Sequence, residues 1–259
     1  MAEVEQERRG GVLVLRINRP EARNALNAAV ISGIGLGIEG ADADPQVRAV
    51  VLTATGDRAF CAGMDLRGFA EGTGGARTVE DQRGLEAYRR FVRGGAATPV
   101  IGAANATAVA GGFELLLACD LVVASAQARF GLPEVKRALF PAGGGVFLGS
   151  RIPLAAALEL TLTGDPVTAD RAFQLGLVNR VVPPEQVLDE AVDLAGRIAA
   201  NGPLGVQVTK QLVRSAAVLP AAEVWALQED LHATVFESED AREGAAAFIE
   251  KRDPVWRGR

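Results

Sequence analysis

A lone carboxylate inside an apolar run constrains this chain more than any other feature. The run is Phe113-Glu114-Leu115-Leu116-Leu117, entered through Gly111-Gly112 and left through Cys119-Asp120. Paired glycines before such a run predict a helix that begins where only small residues fit. The first N–H groups of a helix have no intrahelical partner, and the peptide dipoles add partial positive charge there. Such a start suits an anion or a developing oxyanion. A carboxylate in apolar surroundings is costly unless it is paired or used, and burial raises its pKa. A second carboxylate, Glu134, follows Pro133 beyond a strand-like run over 121–124. Two carboxylates beside one oxyanion site make an acid/base pair. Taken singly, Glu114 also fits an ion pair within a helix, and Glu134 fits a surface position after a turn.

A second small-residue segment lies upstream: Ala59-Phe60-Cys61-Ala62-Gly63-Met64-Asp65-Leu66. By itself, Ala62-Gly63-Met64 reads as a tight turn. The run Gly143-Gly144-Gly145 lacks the lysine and Ser/Thr of a phosphate loop and the spacing of a dinucleotide loop. It reads as close backbone packing at a helix start.

Charge and composition narrow the function classes. A net charge of −5 gives no broad attraction for nucleic acid, so any phosphate binding must be local. The two cysteines, Cys61 and Cys119, sit in apolar segments and suggest a reducing, cytoplasmic setting without a disulfide framework. One histidine, His232, makes neither a metal cluster nor a triad and reads as a surface or helix-packing residue. The acidic, polar stretch over 1–9 has neither an apolar signal core nor the acid-poor pattern of a transit peptide. Residues 94–113 carry no charge, but Pro99, Asn105 and several glycines make them a buried strand and loop rather than a membrane span.

The patterning predicts a hairpin of strands over 4–8 and 12–17 turned at Gly10-Gly11 and ended by Asn18-Arg19-Pro20. A helix capped by Asn27 runs toward Ala41, weakened by Gly33, Gly35 and Gly37 by ~1 kcal/mol each relative to alanine. Strands are expected over 47–53, 99–104, 121–124 and 178–182, and a surface loop over 68–78. A helix over 79–96 places Leu85, Tyr88 and Val92 at helical spacing. Further helices are expected over 152–163, 168–175, 185–200, 204–217, 221–236 and 240–250. Leu227, Leu231 and Val235 share one face of the 221–236 helix.

The Phe60–Asp65 and Gly111–Glu114 segments, with Asn18-Arg19-Pro20-Glu21-Ala22-Arg23-Asn24-Ala25-Leu26 and Ala247-Phe248-Ile249-Glu250-Lys251-Arg252, resemble the crotonase (enoyl-CoA hydratase/isomerase) superfamily along nearly the whole chain. The resemblance implies an α/β fold, a spiral of ββα units with a C-terminal helical trimerisation region. It divides the chain into a core over 1–195 bearing the active site and a helical region over 196–259 for oligomerisation and active-site capping. Trimers, often paired into hexamers, are implied. The resemblance assigns the backbone N–H groups of Met64 and Gly111 to an oxyanion hole. It assigns coenzyme A contacts to Ala22, Arg23, Ala62, Met64, Asp65, Leu66, Arg67 and Lys251, the lysine commonly serving a neighbouring subunit. Glu114 and Glu134 match the glutamates of the hydratases in the superfamily. The implied activity is reversible addition of water across the 2,3 double bond of an enoyl-CoA, with no metal or redox cofactor, coenzyme A being part of the substrate. The alternatives are double-bond isomerisation, dehydration of a hydroxyacyl-CoA such as a carnitinyl thioester, and acyl-CoA binding without catalysis. The chain departs from the superfamily pattern at Ala106 and Ala110, where glycines are usual. The Ala110 methyl is expected to narrow the loop or to forbid positive φ.

Overall fold

A computed structural model describes residues 2–65 and 78–259. Leu66, Arg67 and nearly all of the loop expected over 68–78 lie outside these. Strands β1 (Val4–Arg9) and β2 (Val12–Ile17) form the expected antiparallel hairpin, with Gly10 at φ +60° in its turn. From β2 onward the large sheet is parallel. β2 pairs with β3 (Ala49–Ala54), β3 with β4 (Val100–Ala104), β4 with β6 (Leu121–Ser125), and β6 with β9 (Arg180–Val182). β3 and β4 are buried at every position, which is why neither alternates apolar with polar residues.

A smaller sheet joins β5 (Ala108–Val109), β7 (Arg129–Gly131) and β8 (Val167–Thr168). Single parallel bridges, Leu26 to Met64 and Cys61 to Ala108, continue that layer backward along the chain. Each turn therefore lays one strand in the large sheet and one short segment in the small layer. This is the ββα spiral, and it brings segments from successive turns side by side.

Helix α1 (Ala28–Ala43) starts at Asn27, whose Oδ1 accepts the Val30 N–H at 2.9 Å. Its glycines serve packing. A Cβ on Gly35 would lie 1.9 Å from the Gly84 carbonyl oxygen, and one on Gly84 would lie 2.2 Å from Ser32 Oγ. Only glycines let α1 and α2 (Val79–Val92) cross this closely. Helix α2 stops at Val92 rather than 96, and its fully buried residues are Gly84, Ala87 and Phe91; Leu85, Tyr88 and Val92 are half-buried.

The main core lies between these helices and one sheet face, around Leu15, Ile34, Leu52, Phe60, Phe113 and Phe130. On the opposite face, Val14, Val51, Ile101 and Val123 pack against Val187, Ala191 and Ala195. Helix α3 is Gly111–Ala118, α4 Leu154–Thr163, α5 Ala169–Gln174 with Thr168 as its cap, and α6 Val187–Ala199.

The C-terminal arm is α7 (Pro203–Ala216), α8 (Ala221–Phe236) and α9 (Glu239–Glu250). Neither α7 nor α8 buries a residue fully. Asp120 ties α7 to the sheet, receiving Lys210 Nζ at 2.7 Å and Arg214 Nε at 2.8 Å. Leu227, Leu231 and Val235 are half-buried, while Trp225 (63% exposed) and Phe236 (68%) face outward. The exposed His232 ring stacks on Phe236, one turn on in the same helix, with centroids 4.2 Å apart, which is the surface half of the expected surface or helix-packing role. Among the described residues, no helix is long and apolar enough to cross a membrane.

Candidate active site

Met64 and Gly111 come from consecutive turns of the spiral. Leu26 N–H donates to the Gly63 carbonyl at 2.8 Å, and Asp65 N–H donates to the Leu26 carbonyl at 2.9 Å. In such a parallel bridge the residue between, Met64, turns its own N–H to the other side. Gly63, at φ +91°, lies against the next turn: a Cβ there would stand 2.8 Å from Ala110 Cβ and 3.4 Å from Gly111 N. Gly111 is the first residue of α3, and a Cβ on it would lie 3.8 Å from Met64 N. Among the described residues neither N–H has a hydrogen-bond acceptor. Two donors thus lie close together, one of them at the positive end of a helix. Gly112 is the glycine that makes this approach possible, since a Cβ there would fall 2.3 Å from the Cys61 carbonyl oxygen.

Ala110 corrects the sequence expectation. Its methyl does not forbid positive φ: the residue sits at φ 51°, ψ −133°, a region dominated by glycine. Its neighbours fix it there. Ala110 N–H donates to the Gly131 carbonyl at 2.9 Å, and its own carbonyl accepts the N–H groups of Phe113 and Glu114.

Glu114 is 6% exposed. Its Oε1 accepts the N–H of Gly143 at 2.7 Å and of Gly145 at 2.8 Å. A Cβ on Gly143 would come within 2.7 Å of Oε2, so the glycine run exists to admit this carboxylate. The sequence reading of 143–145 as close backbone packing is right in kind, but it missed the partner. Burial holds the Glu114 pKa above the ordinary carboxylate value, and the two N–H groups draw it partly back. Glu134 stands in the first turn of a short 3-10 helix, Pro133–Arg137. Burial raises its pKa too, and the nearby Glu114 charge adds to the shift. Its Oε2 is buried with no hydrogen-bond partner among the described residues. One carboxylate is thus fixed through a single oxygen, and the other keeps an oxygen unsatisfied. Both hold protons more tightly than free carboxylates, so the pair can exchange protons with a molecule placed between them.

The other candidate residues divide into two places. Ala22 closes a 3-10 turn, Pro20–Ala22, and Arg23 follows, exposed, at φ 52°. The Arg23 carbonyl accepts the Ala62 N–H at 3.1 Å, joining both residues to the Met64 segment. Asp65 Oδ2 receives Arg19 NH2 at 3.2 Å. Arg19 was not singled out from sequence; an arginine before Pro20 carries no signal of a partner in the next turn. Lys251 is exposed at the end of α9, and among the described residues no hydrogen bond or ion pair joins its side chain to residues 22–65. Leu66 and Arg67 lie outside the described residues.

Cys61 and Cys119 are buried thiols pushed up to about 12 by desolvation, which leaves them protonated and poor nucleophiles. Among the described residues no three His, Cys, Asp or Glu side chains gather as metal ligands.

Known proteins are similar to this chain along nearly its whole length. The sequence profile of the family described as enoyl-CoA hydratase/isomerase matches residues 7–259. The enoyl-CoA hydratase EchA19 of Mycobacterium tuberculosis is 39% identical over 255 residues, covering 98% of this chain and 96% of that protein. A carnitinyl-CoA dehydratase of Proteus mirabilis is 37% identical, covering 97% of each. The crystal structure of an enoyl-CoA hydratase from Mycobacterium tuberculosis superposes with a TM-score of 0.91 at 44% identity, covering all of both chains. With its spiral of ββα turns and C-terminal helices, the chain belongs to the enoyl-CoA hydratase/isomerase family of the crotonase superfamily.

Proposed function

We propose that this enzyme is an enoyl-CoA hydratase that adds water reversibly across the 2,3 double bond of an enoyl-CoA thioester. One observation carries the reading: a buried glutamate is held by two backbone N–H groups, and a second glutamate has a buried oxygen that, like the Met64 and Gly111 N–H groups, lacks a hydrogen-bond partner among the described residues. The Met64 and Gly111 N–H groups receive the thioester oxygen and polarise the conjugated double bond, making the β-carbon electrophilic. Glu114 takes a proton from the attacking water as the C–O bond forms at the β-carbon. Glu134 orients that water and gives a proton to the α-carbon as the enolate collapses. Dehydration is the reverse. The chemistry calls for no metal or redox cofactor.

Ala22, Arg23, Ala62, Met64, Asp65, Leu66 and Arg67 bind coenzyme A on one subunit. Lys251 reaches a phosphate of the coenzyme bound to a neighbour. The 196–259 region joins subunits into trimers or pairs of trimers, for which the outward Trp225 and Phe236 supply apolar surface. The setting is the cytoplasm.

The carnitinyl-CoA dehydratase relatives support a second reading, in which the same pair removes water from a hydroxyacyl thioester. Turnover of simple enoyl-CoA and of carnitinyl-CoA, followed with isotopically labelled water, separates the two. Glu114→Gln and Glu134→Gln should each lower kcat by roughly 10²-fold or more, the scale of a lost general acid or base. Near-normal turnover in either variant removes that residue from the mechanism.

A further inference from the structure

We infer that Arg19 is a positioning residue for the oxyanion hole, holding the Met64 N–H on its aim through the carboxylate of Asp65. The inference rests on the oxyanion reading of Met64 and Gly111. Arg19 is largely buried and reaches three groups at once. Its NH1 donates to the Ala25 carbonyl at 2.8 Å, its NH2 donates to Asp65 Oδ2 at 3.2 Å, and its Nε lies 3.3 Å from Glu3 Oε1. Ala25 and Asp65 flank the two sides of one bridge. Leu26, next to Ala25, holds the Gly63 carbonyl and the Asp65 N–H, and Met64 lies between those two bonds. The Leu26 bond to the Gly63 carbonyl sets the plane of the 63–64 peptide, which also carries the Met64 N–H, so the aim of that N–H follows the bridge. A guanidinium clamped to both sides of the bridge holds its two segments in place, because its planar fork fixes direction as well as distance.

The base of the clamp is itself rigid. Arg19 N–H donates to Asn24 Oδ1 at 3.0 Å, and the Arg19 carbonyl accepts the Asn24 N–H at 2.8 Å. Buried Asn24 in turn donates Nδ2 to the carbonyls of Thr55 and Ala59 at 2.9 and 2.8 Å, in the chain that leads into the Met64 segment. The strap over 19–26 is thus bolted to the segment it orients. An oxyanion donor contributes through direction at the moment charge develops, so a small loss of aim falls on the transition state more than on the bound substrate.

The test uses the full-length enzyme and a conjugated aryl-enoyl-CoA, whose absorption moves to longer wavelength as its carbonyl is polarised. Arg19→Met should lower kcat by about 10-fold with KM changed by less than threefold, Asp65→Asn should lower kcat by a similar factor, and both should shrink the red shift of the bound chromophore. The double variant should fall no further than the worse single one, since both remove one link. Arg19→Lys, which keeps the charge but loses the fork, should recover part of the shift. A folded Arg19→Met enzyme with the full red shift and normal kcat would overturn the inference, as would losses that multiply in the double variant. If Arg19→Met fails to fold, the Asp65→Asn and Arg19→Lys measurements decide by the same criteria. A wild-type enzyme that produces no red shift would instead sink the oxyanion reading itself.

Discussion

Ala110 sits at φ 51°, ψ −133° at the entrance to α3, a conformation that glycine adopts freely and alanine does not. Residues held in such regions cost about 1–3 kcal/mol each. Ala110→Gly removes that strain. Two terms oppose the gain: glycine adds unfolded-state entropy of about 0.4–1 kcal/mol, and the half-buried methyl gives up part of the ~0.8 kcal/mol worth of a buried carbon. The balance favours the glycine variant by about 1 kcal/mol. For a chain of this size that is a rise in Tm of about 2–4 °C. Ala138 provides an internal comparison, because its φ 56°, ψ 31° lies in the ordinary left-handed well and carries less strain. Differential scanning calorimetry should therefore rank Ala110→Gly above Ala138→Gly, and both at or above wild type. A lower Tm for Ala110→Gly, or a smaller gain than at Ala138, would refute the assignment of strain to this residue.

Gly35→Ala should destabilise the protein by roughly 1–3 kcal/mol, the scale of overpacking, because its Cβ would meet the Gly84 carbonyl at 1.9 Å; helix propensity alone predicts a gain of ~1 kcal/mol, so urea unfolding reads the sign directly. Glu134 binds its proton more tightly folded than unfolded, its pKa being raised from 4.5. It therefore supports the folded state fully below about pH 4.5 and loses that support as pH rises through the raised value. Glu134→Gln should match wild type in Tm near pH 4 and exceed it increasingly toward pH 7, and a constant difference across that range would contradict the shift. Coenzyme A alone should raise Tm, since it binds only the folded state. Arg23→Ala and Lys251→Ala should reduce that protection, most at low salt, and unchanged thermal shifts would remove both residues from the coenzyme site.

Features that depend on neighbours in sequence were legible before the structure. The Gly10 turn, the Asn27 cap and the glycine entrance to α3 each rest on contacts within a few residues. The open N–H at Gly111 follows from such local geometry, whereas Ala62-Gly63-Met64 by itself read as a tight turn, and only the family resemblance pointed to its N–H. What stayed hidden depends on the spiral. The Gly143 and Gly145 N–H groups bind a carboxylate 29 and 31 residues away in sequence. Nothing near Gly35 announces Gly84, so its glycine read as a weakness rather than a crossing point. The same holds for α2, where helical spacing gave the element but not the face that α1 demands. Ala110 read as a barrier to positive φ because propensity was weighed without the hydrogen bonds that enforce it.

The bonds from Gly143 and Gly145 to Glu114 also carry an evolutionary consequence. The carboxylate that the proposed chemistry needs is the acceptor that seats a loop from a later turn of the fold. A descendant that exchanged Glu114 for an apolar residue would leave two N–H groups without a partner in a largely buried place, a penalty of about 1–3 kcal/mol for each such group. A change of reaction at this position would thus require a second change in the 143–145 loop, or a substrate group able to accept from it. The simplest first step is glutamine, whose side-chain carbonyl keeps both bonds while ending proton transfer. Drift toward new chemistry on this chain would thus pass through a silent, well-folded intermediate.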